Sequence, residues 1–262
     1  MISEMGACAG ACVAACACPE RTVGPGEAAD TSAIVLGAGT GTRFGDVRGK
    51  QFVELAGMPL IAWSVLAFDS VACVARLVVV APAGRERDLA DALGGLSLRH
   101  ELTIVPGGAT RQESVMAGLV ATDEGLPLVA IHDGARPLIE RPLIERCLDA
   151  VRTDASVDGA ILATRATDTL KVVDDAGRIV VTPDRSNIWC AQTPQCFRRD
   201  AILAAHDAAL LAAYVGTDDA SLIEWQGGVV RVVEGTHDNL KVTYPEDLGL
   251  AEAMLAARIG IL

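Results

Sequence analysis

From residue 33 onward, short apolar runs alternate with longer amphipathic segments. The runs at 33–36 (AIVL), 76–81 (RLVVVA), 102–105 (LTIV), 128–132 (LVAIH) and 159–164 (GAILAT) are close to continuously apolar, which predicts strands covered on both faces. Between them, residues 60–70, 84–93, 111–121 and 142–152 carry apolar positions at helical spacing with Gly or Pro punctuation, and predict helices. Alternating strands and helices of these lengths imply an α/β fold with a mostly parallel sheet and helices on both faces. Such sheets bind ligands outside the carboxyl ends of their strands.

Residues 165–187 interrupt this alternation. Residues 167–173 and 178–182 flank Asp174-Asp175-Ala176-Gly177, whose Asp and Gly content predicts a hairpin turn. A two-stranded hairpin is marginal by itself, so this arm is expected to pack on a second subunit, giving a homodimer. Helices at 199–211 and 217–225, a strand at 229–233 and a last helix at 245–257 follow, and there is no internal repeat. Residues 1–32 are almost entirely Ala, Cys, Gly and small polar residues. They are expected to form a flexible tail before a single domain over 33–262.

Charge narrows the function. Lys plus Arg is 22 against 34 Asp plus Glu, a formal net charge of −12, and there are nine aromatic residues. A general nucleic-acid binder needs a basic face and stacking platforms, so that class is disfavoured. A small polyanionic substrate remains open if a local cluster of cations holds it. Only three of the basic residues are lysines, Lys50, Lys171 and Lys241.

Of eight cysteines, Cys8, Cys12, Cys16 and Cys18 lie in the tail and Cys73, Cys147, Cys190 and Cys196 are scattered. No CxxC pair or Cys/His zinc spacing occurs, which reads as free thiols in a reducing cytoplasm. The tail cysteines at 8, 12 and 16 would share one face of a helix, a weaker reading as a metal site. Nowhere do 18 bulky apolar residues run together, so no membrane span is expected.

The segment Gly37-Ala38-Gly39-Thr40-Gly41-Thr42-Arg43 follows the first predicted strand directly. Glycines there let the backbone approach a ligand and turn N–H groups toward phosphate. The P-loop pattern fails because Gln51 follows Lys50 and the spacing from Gly45 is one short; the dinucleotide pattern fails at Phe44, where its third Gly would stand. What remains is GxGxR with Lys50 seven residues later. An Arg fork and a mobile Lys beside free N–H groups suit a transferring phosphoryl group and a pyrophosphate leaving group.

These residues, with Lys50-Gln51-Phe52, the stretch from Gly107 to Val115 (GGATRQESV), His132-Asp133-Gly134-Ala135-Arg136-Pro137, Asp168-Thr169-Leu170-Lys171, Gln192-Thr193-Pro194-Gln195, Thr217-Asp218-Asp219-Ala220-Ser221, Glu234-Gly235 and Asp238-Asn239-Leu240-Lys241-Val242-Thr243, resemble the 2-C-methyl-D-erythritol 4-phosphate cytidylyltransferases of the non-mevalonate isoprenoid pathway. The resemblance runs from Ala33 to about Ala257. It implies a Rossmann-like nucleotidyltransferase sheet with a protruding β-hairpin arm, and a reaction joining CTP to a sugar-alcohol phosphate with release of pyrophosphate. It further implies Mg²⁺ as cofactor, bound mainly through phosphates with Asp133 as a possible ligand.

Carried over by position, Arg43, Lys50 and Lys241 would be catalytic, the first two on the CTP phosphates and Lys241 beside the α-phosphate. Gly37, Ala38, Gly39, Gly108, Ser114 and Asp133 would bind nucleotide. Asp133 would also face the acceptor, and Arg136, Thr169, Arg185 and Thr193 would grip the methylerythritol phosphate, part of this pocket coming from the neighbouring subunit's arm.

Gly37 and Gly134 stand where the family often has Ala, and Ala109 where an acidic residue is common, which puts base selectivity in question. A ribitol 5-phosphate cytidylyltransferase would share Arg43, Lys50 and Lys241 and is the alternative. A sugar-nucleotide-binding protein without transfer activity and a dinucleotide oxidoreductase fit less well.

Overall fold

The structure is a computed structural model that describes residues 29–39, 41, 44–45 and 49–259. The readings made for residues 1–28, including the Cys8, Cys12 and Cys16 cluster, lie outside the described residues. In chain order the elements are β1 (Thr31–Leu36), β2 (Glu54–Leu55), β3 (Met58–Pro59), α1 (Leu60–Asp69), β4 (Val74–Ala81), α2 (Glu86–Leu93), β5 (Glu101–Pro106), α3 (Arg111–Val120), β6 (Leu128–Asp133), α4 (Arg141–Arg152), β7 (Gly159–Arg165), β8 (Val172–Val173), β9 (Ile179–Val181), β10 (Trp189–Arg198), α5 (Arg199–Leu211), α6 (Asp219–Trp225), β11 (Val230–Glu234) and α7 (Pro245–Ile259). β1 opens at Thr31, two residues before the domain boundary read from the sequence, and Thr31 and Ser32 are buried.

A seven-stranded sheet in the order β11-β7-β10-β6-β1-β4-β5 forms the centre. All neighbours run parallel except β10, which is antiparallel to both β6 and β7. Successive side chains on a strand point to opposite faces, and each face here is apolar. Ala33, Val35, Leu77 and Val79 meet α1, α2 and α4 through Ile61, Val65, Phe68, Leu89 and Ile144. Ile34, Val78 and Val80 meet α3, α5 and α6 through Val115, Leu119, Ile202 and Ile223. Burial on both faces explains why the strand sequences are continuously apolar. A third cluster packs α7 against the β2–β3 hairpin through Leu55, Leu60, Leu138, Val242 and Leu255.

The sequence reading lacked β10. Its middle, Gln192-Thr193-Pro194-Gln195, is polar and contains Pro, and the pairing with β7 breaks register between Ala191 and Gln195. That irregularity hides the strand. The arm forms as a hairpin, with paired segments shorter than the sequence suggests: only Val172–Val173 and Ile179–Val181. Among the described residues no helix is long and apolar enough to cross a membrane.

One buried carboxylate ties the end of α1 to the loop before β5. Asp69 accepts from the backbone N–H groups of Arg99 (2.9 Å) and His100 (3.1 Å), and its side chain is nearly inaccessible. Asp69→Ala leaves those donors unpaired and is expected to cost about 1–3 kcal/mol. Thermal denaturation should show a melting temperature several degrees lower, while turnover per folded molecule stays unchanged.

Candidate active site

Strand order changes direction between β1 and β6, and a crevice opens there beyond the strand ends. It is a cavity of about 600 Å³, within the range of small-molecule sites. Gly37, Ala38, Gly39 and Gly41 follow β1, Pro82 and Ala83 follow β4, Gly108 to Arg111 follow β5, and Asp133 to Ala135 close β6; Lys50, Ser114, Lys241 and Thr243 complete the wall. Gly37, Ala38, Gly39, Lys50, Gly108, Ser114, Asp133 and Lys241, expected from the sequence, are therefore brought together. Arg43 lies outside the described residues.

The two lysines reach the cavity from opposite ends of the chain. Lys241 Nζ lies 2.7 Å from Asp133 Oδ2, and Lys50 Nζ donates to the carbonyl of Val242 at 2.9 Å. The segment carrying Lys241 is fixed on its other side by Val242 N–H donating to the Ala135 carbonyl (2.8 Å). Arg111 Nε and Arg136 Nε stand 3.8 Å from Asp133 Oδ1 and Oδ2 respectively. Burial opposes ionisation of Asp133, but Lys241, Arg111 and Arg136 outweigh it and hold the carboxyl well below the usual carboxylate range.

Behind Asp133 runs a chain of buried polar groups. His132 Nε2 faces the Arg136 carbonyl at 3.2 Å; a carbonyl only accepts, so this nitrogen carries the proton and Nδ1 accepts from Thr193 Oγ1 at 3.0 Å. Thr193 Oγ1 in turn accepts from Asp133 N–H at 3.0 Å. Arg136 Nη1 donates to the Asn239 carbonyl (2.7 Å), and Asn239 Nδ2 donates to the Thr193 carbonyl (2.8 Å) and to Gln192 Oε1 (3.1 Å). Thr193 and Arg136, expected to hold the acceptor, are thus largely buried with most of their polar atoms engaged internally. Thr169 and Arg185 are exposed at the root of the arm and do not line this cavity; Arg185 Nη1 donates to the Thr167 carbonyl.

Ser114 is buried, and its hydroxyl accepts from Gly108 N–H (3.1 Å) while donating to the Thr110 carbonyl (2.8 Å), so it shapes the turn that borders the cavity. Thr110 caps α3 by accepting from Glu113 N–H, and Glu113 Oε2 takes the Ala109 N–H at 2.7 Å. The acidic group near this turn therefore comes from Glu113, four residues beyond Ala109. At Gly37 an added Cβ would meet Ile61 Cδ1 at 2.6 Å, and at Gly134 it would meet Ile61 Cγ1 at 2.8 Å and the Leu36 carbonyl at 2.9 Å. Ile61 fills the space that alanines would take.

The family model for 2-C-methyl-D-erythritol 4-phosphate cytidylyltransferase (IspD) matches residues 31–257. The chain belongs to this family. A relative of that name from Synechococcus sp. (strain CC9902) is 43% identical over 226 residues, 86% of this chain and 97% of the relative. Another, from Pelotomaculum thermopropionicum, is 39% identical over 232 residues, covering 88% and 96%. Among solved structures, the 4-diphosphocytidyl-2C-methyl-D-erythritol synthase from Anaerococcus prevotii is similar with a TM-score of 0.76 and 30% identity, covering 86% of this chain and 95% of that one.

Within the family frame, His132 has a consequence for stability. Burial is the largest influence on its imidazole and holds it neutral, with a pKa pushed down to about 4. Because the folded value lies below the ordinary ~6.5, the contribution is intact above about pH 6.5 and is lost as pH falls toward 4, a loss on the order of 3 kcal/mol. Chemical denaturation of His132→Asn between pH 7 and 4 is expected to give lower stability at pH 7 and a shallower acid slope than the parent chain. An unchanged slope would remove His132 from the account.

Proposed function

We propose that this chain transfers the cytidylyl group of CTP to 2-C-methyl-D-erythritol 4-phosphate, a step of isoprenoid precursor synthesis. An oxygen of the acceptor phosphate attacks the α-phosphorus of CTP. The new P–O bond forms as the bridging bond between the α- and β-phosphates breaks, and its electron pair leaves with pyrophosphate. The products are 4-diphosphocytidyl-2-C-methyl-D-erythritol and pyrophosphate. A phosphate monoester is already anionic near pH 7, so the attack needs position and charge stabilisation instead of a general base. The observation that carries this reading is the convergence of Lys50 and Lys241 on the cavity bordered by two glycine turns, in a chain whose family match spans residues 31–257.

Lys241 stabilises the charge on the α-phosphate in the transition state, and Lys50 with Arg43 takes the β- and γ-phosphates. Gly37 to Gly39, Gly108 and the turn held by Ser114 bind base and ribose through backbone groups. Thr169 and Arg185, supplied by the neighbouring subunit's arm, engage the acceptor phosphate and hydroxyls together with Arg136, and Thr193 acts through the Asp133 backbone it holds. Mg²⁺ fits the donor set: Asp133 is a cavity carboxylate, hard oxygen ligands suit this ion, and the remaining ligands would be phosphate oxygens and water. Among the described residues no cluster of three or more His, Cys, Asp or Glu forms a separate metal site. When bound, the ion would neutralise phosphate charge.

The arm exposes Val172, Val173, Ile179, Val180 and Val181, each 49–66% accessible, an apolar strip that supports a homodimer formed through residues 165–187. Cys73, Cys147, Cys190 and Cys196 are all unpaired, which suits a reducing cytoplasm. The ribitol 5-phosphate alternative is not favoured, since the family model and the relatives above are named for methylerythritol phosphate.

Purified protein given CTP, Mg²⁺ and each polyol phosphate should release pyrophosphate with methylerythritol phosphate; turnover with ribitol phosphate alone would overturn the reading. Lys241→Ala is expected to lower kcat by about 10²–10³, the scale for loss of one transition-state charge contact, with a smaller change in the KM for CTP. Near-full kcat in that variant would remove Lys241 from the chemistry.

A further inference from the structure

We infer that Arg111 is a positioning residue for the transfer: it bridges the cavity carboxylate Asp133 to the buried Asp219, and so fixes the carboxylate that holds Lys241. The inference rests on the proposed role of Lys241. Arg111 Nη2 donates to Asp219 Oδ2 at 2.7 Å while its Nε faces Asp133 Oδ1 at 3.8 Å, on the oxygen opposite the one that Lys241 occupies. A planar guanidinium presents donors in a rigid fork, so one side chain can serve two carboxylates at a set angle; an ammonium cannot.

The far end of this bridge is built to stay still. Asp219 is 1% exposed, and its other oxygen lies 3.4 Å from His206 Nε2, also buried. Gln195 Oε1 accepts from the backbone N–H groups of Asp219 and Ala220 at 3.2 Å, and Gln195 Nε2 donates to Asp218 Oδ2 at 2.7 Å. Asp218 and Ser221 cap α6 reciprocally. The Gln192–Gln195 and Thr217–Ser221 motifs, neither of which supplies a cavity-lining side chain, therefore meet behind Arg111. Arg111 lines the cavity, and its hydrogen bond to the buried Asp219 sets where its Nε stands as an ion-pair partner of Asp133. Without Arg111, Asp133 keeps cations only at Oδ2, where Lys241 and Arg136 stand, the Oδ1 side is no longer fixed, and Lys241 loses its set direction toward the α-phosphate.

Removing Arg111 alone would leave the Asp219 charge buried and unpaired, which is strongly destabilising. The test therefore uses the neutral pair Arg111→Met with Asp219→Asn, alone and combined with Lys241→Ala. If Arg111 acts through Lys241, the pair lowers kcat at least tenfold with the KM for CTP within threefold, and the loss shrinks below twofold once Lys241 is already Ala. A kcat within threefold of the parent, or an undiminished loss in the Lys241→Ala background, overturns the inference. Should the neutral pair fold poorly, Arg111→Lys keeps a charge beside Asp219 without spanning to Asp133, and carries the same expectations for kcat, KM and coupling to Lys241→Ala. Failure of the parent chain to turn over CTP with methylerythritol phosphate would instead count against the proposed function, which separates the two.

Discussion

Lys241 and Asp133, 108 positions apart, meet at 2.7 Å across the mouth of the cavity, and much of the fold serves to make that meeting occur in one geometry. Asp133 ends β6 beside the point where strand order reverses, with its backbone N–H held by Thr193 from β10. Lys241 arrives on the loop between β11 and α7, tied by Val242 to Ala135 and to Lys50, and by Asn239 to Arg136 and Thr193. Few of these ties are worth more than about 1 kcal/mol net. Their joint effect is directional: an ammonium on a flexible stem is pinned over a cavity bordered by two glycine turns.

This pairing also fits the proposed polyanion site to an acidic chain. The net charge of −12 is spread over the molecule, whereas the cavity sets Lys241 and Arg111 beside Asp133, with Lys50 on the same wall. Asp133 pairs with Lys241 at 2.7 Å and faces Arg111 at 3.8 Å, and under the proposed function phosphate oxygens of the same charge sign take over that place. Preorganisation of that kind leaves little reorientation to be done at the transition state.

Much of this was legible in the sequence. β1, β4, β5, β6 and β7 stand out because strands buried on both faces are continuously apolar, and α1 to α4 because their apolar positions keep helical spacing. β10 was not legible: Pro194 and its polar neighbours erase any period of two, and only the sheet supplies the partners that make it a strand. The β2–β3 hairpin has two residues in each strand, too few for a periodic signal. In the site, Lys50 and Lys241 were conspicuous because lysine is scarce against 19 arginines. The same abundance concealed Arg111, whose partners lie 22 and 108 residues downstream and come together only through the sheet order. Thr193 and Arg136 carried readable motif positions, yet their internal partners, His132 and Asp133 for Thr193 and Asn239 for Arg136, come together only in the fold.

Under the proposed function, Asp133 holds Lys241 in readiness for the α-phosphate of CTP. A crystal structure of this chain with CTP and Mg²⁺ tests it most directly. The triphosphate should lie in the cavity between the Gly37–Gly39 and Gly107–Gly108 turns, with Lys241 Nζ within hydrogen-bonding distance of an α-phosphate oxygen. Nucleotide bound there with Lys241 still directed wholly at Asp133 and away from the α-phosphate would contradict it.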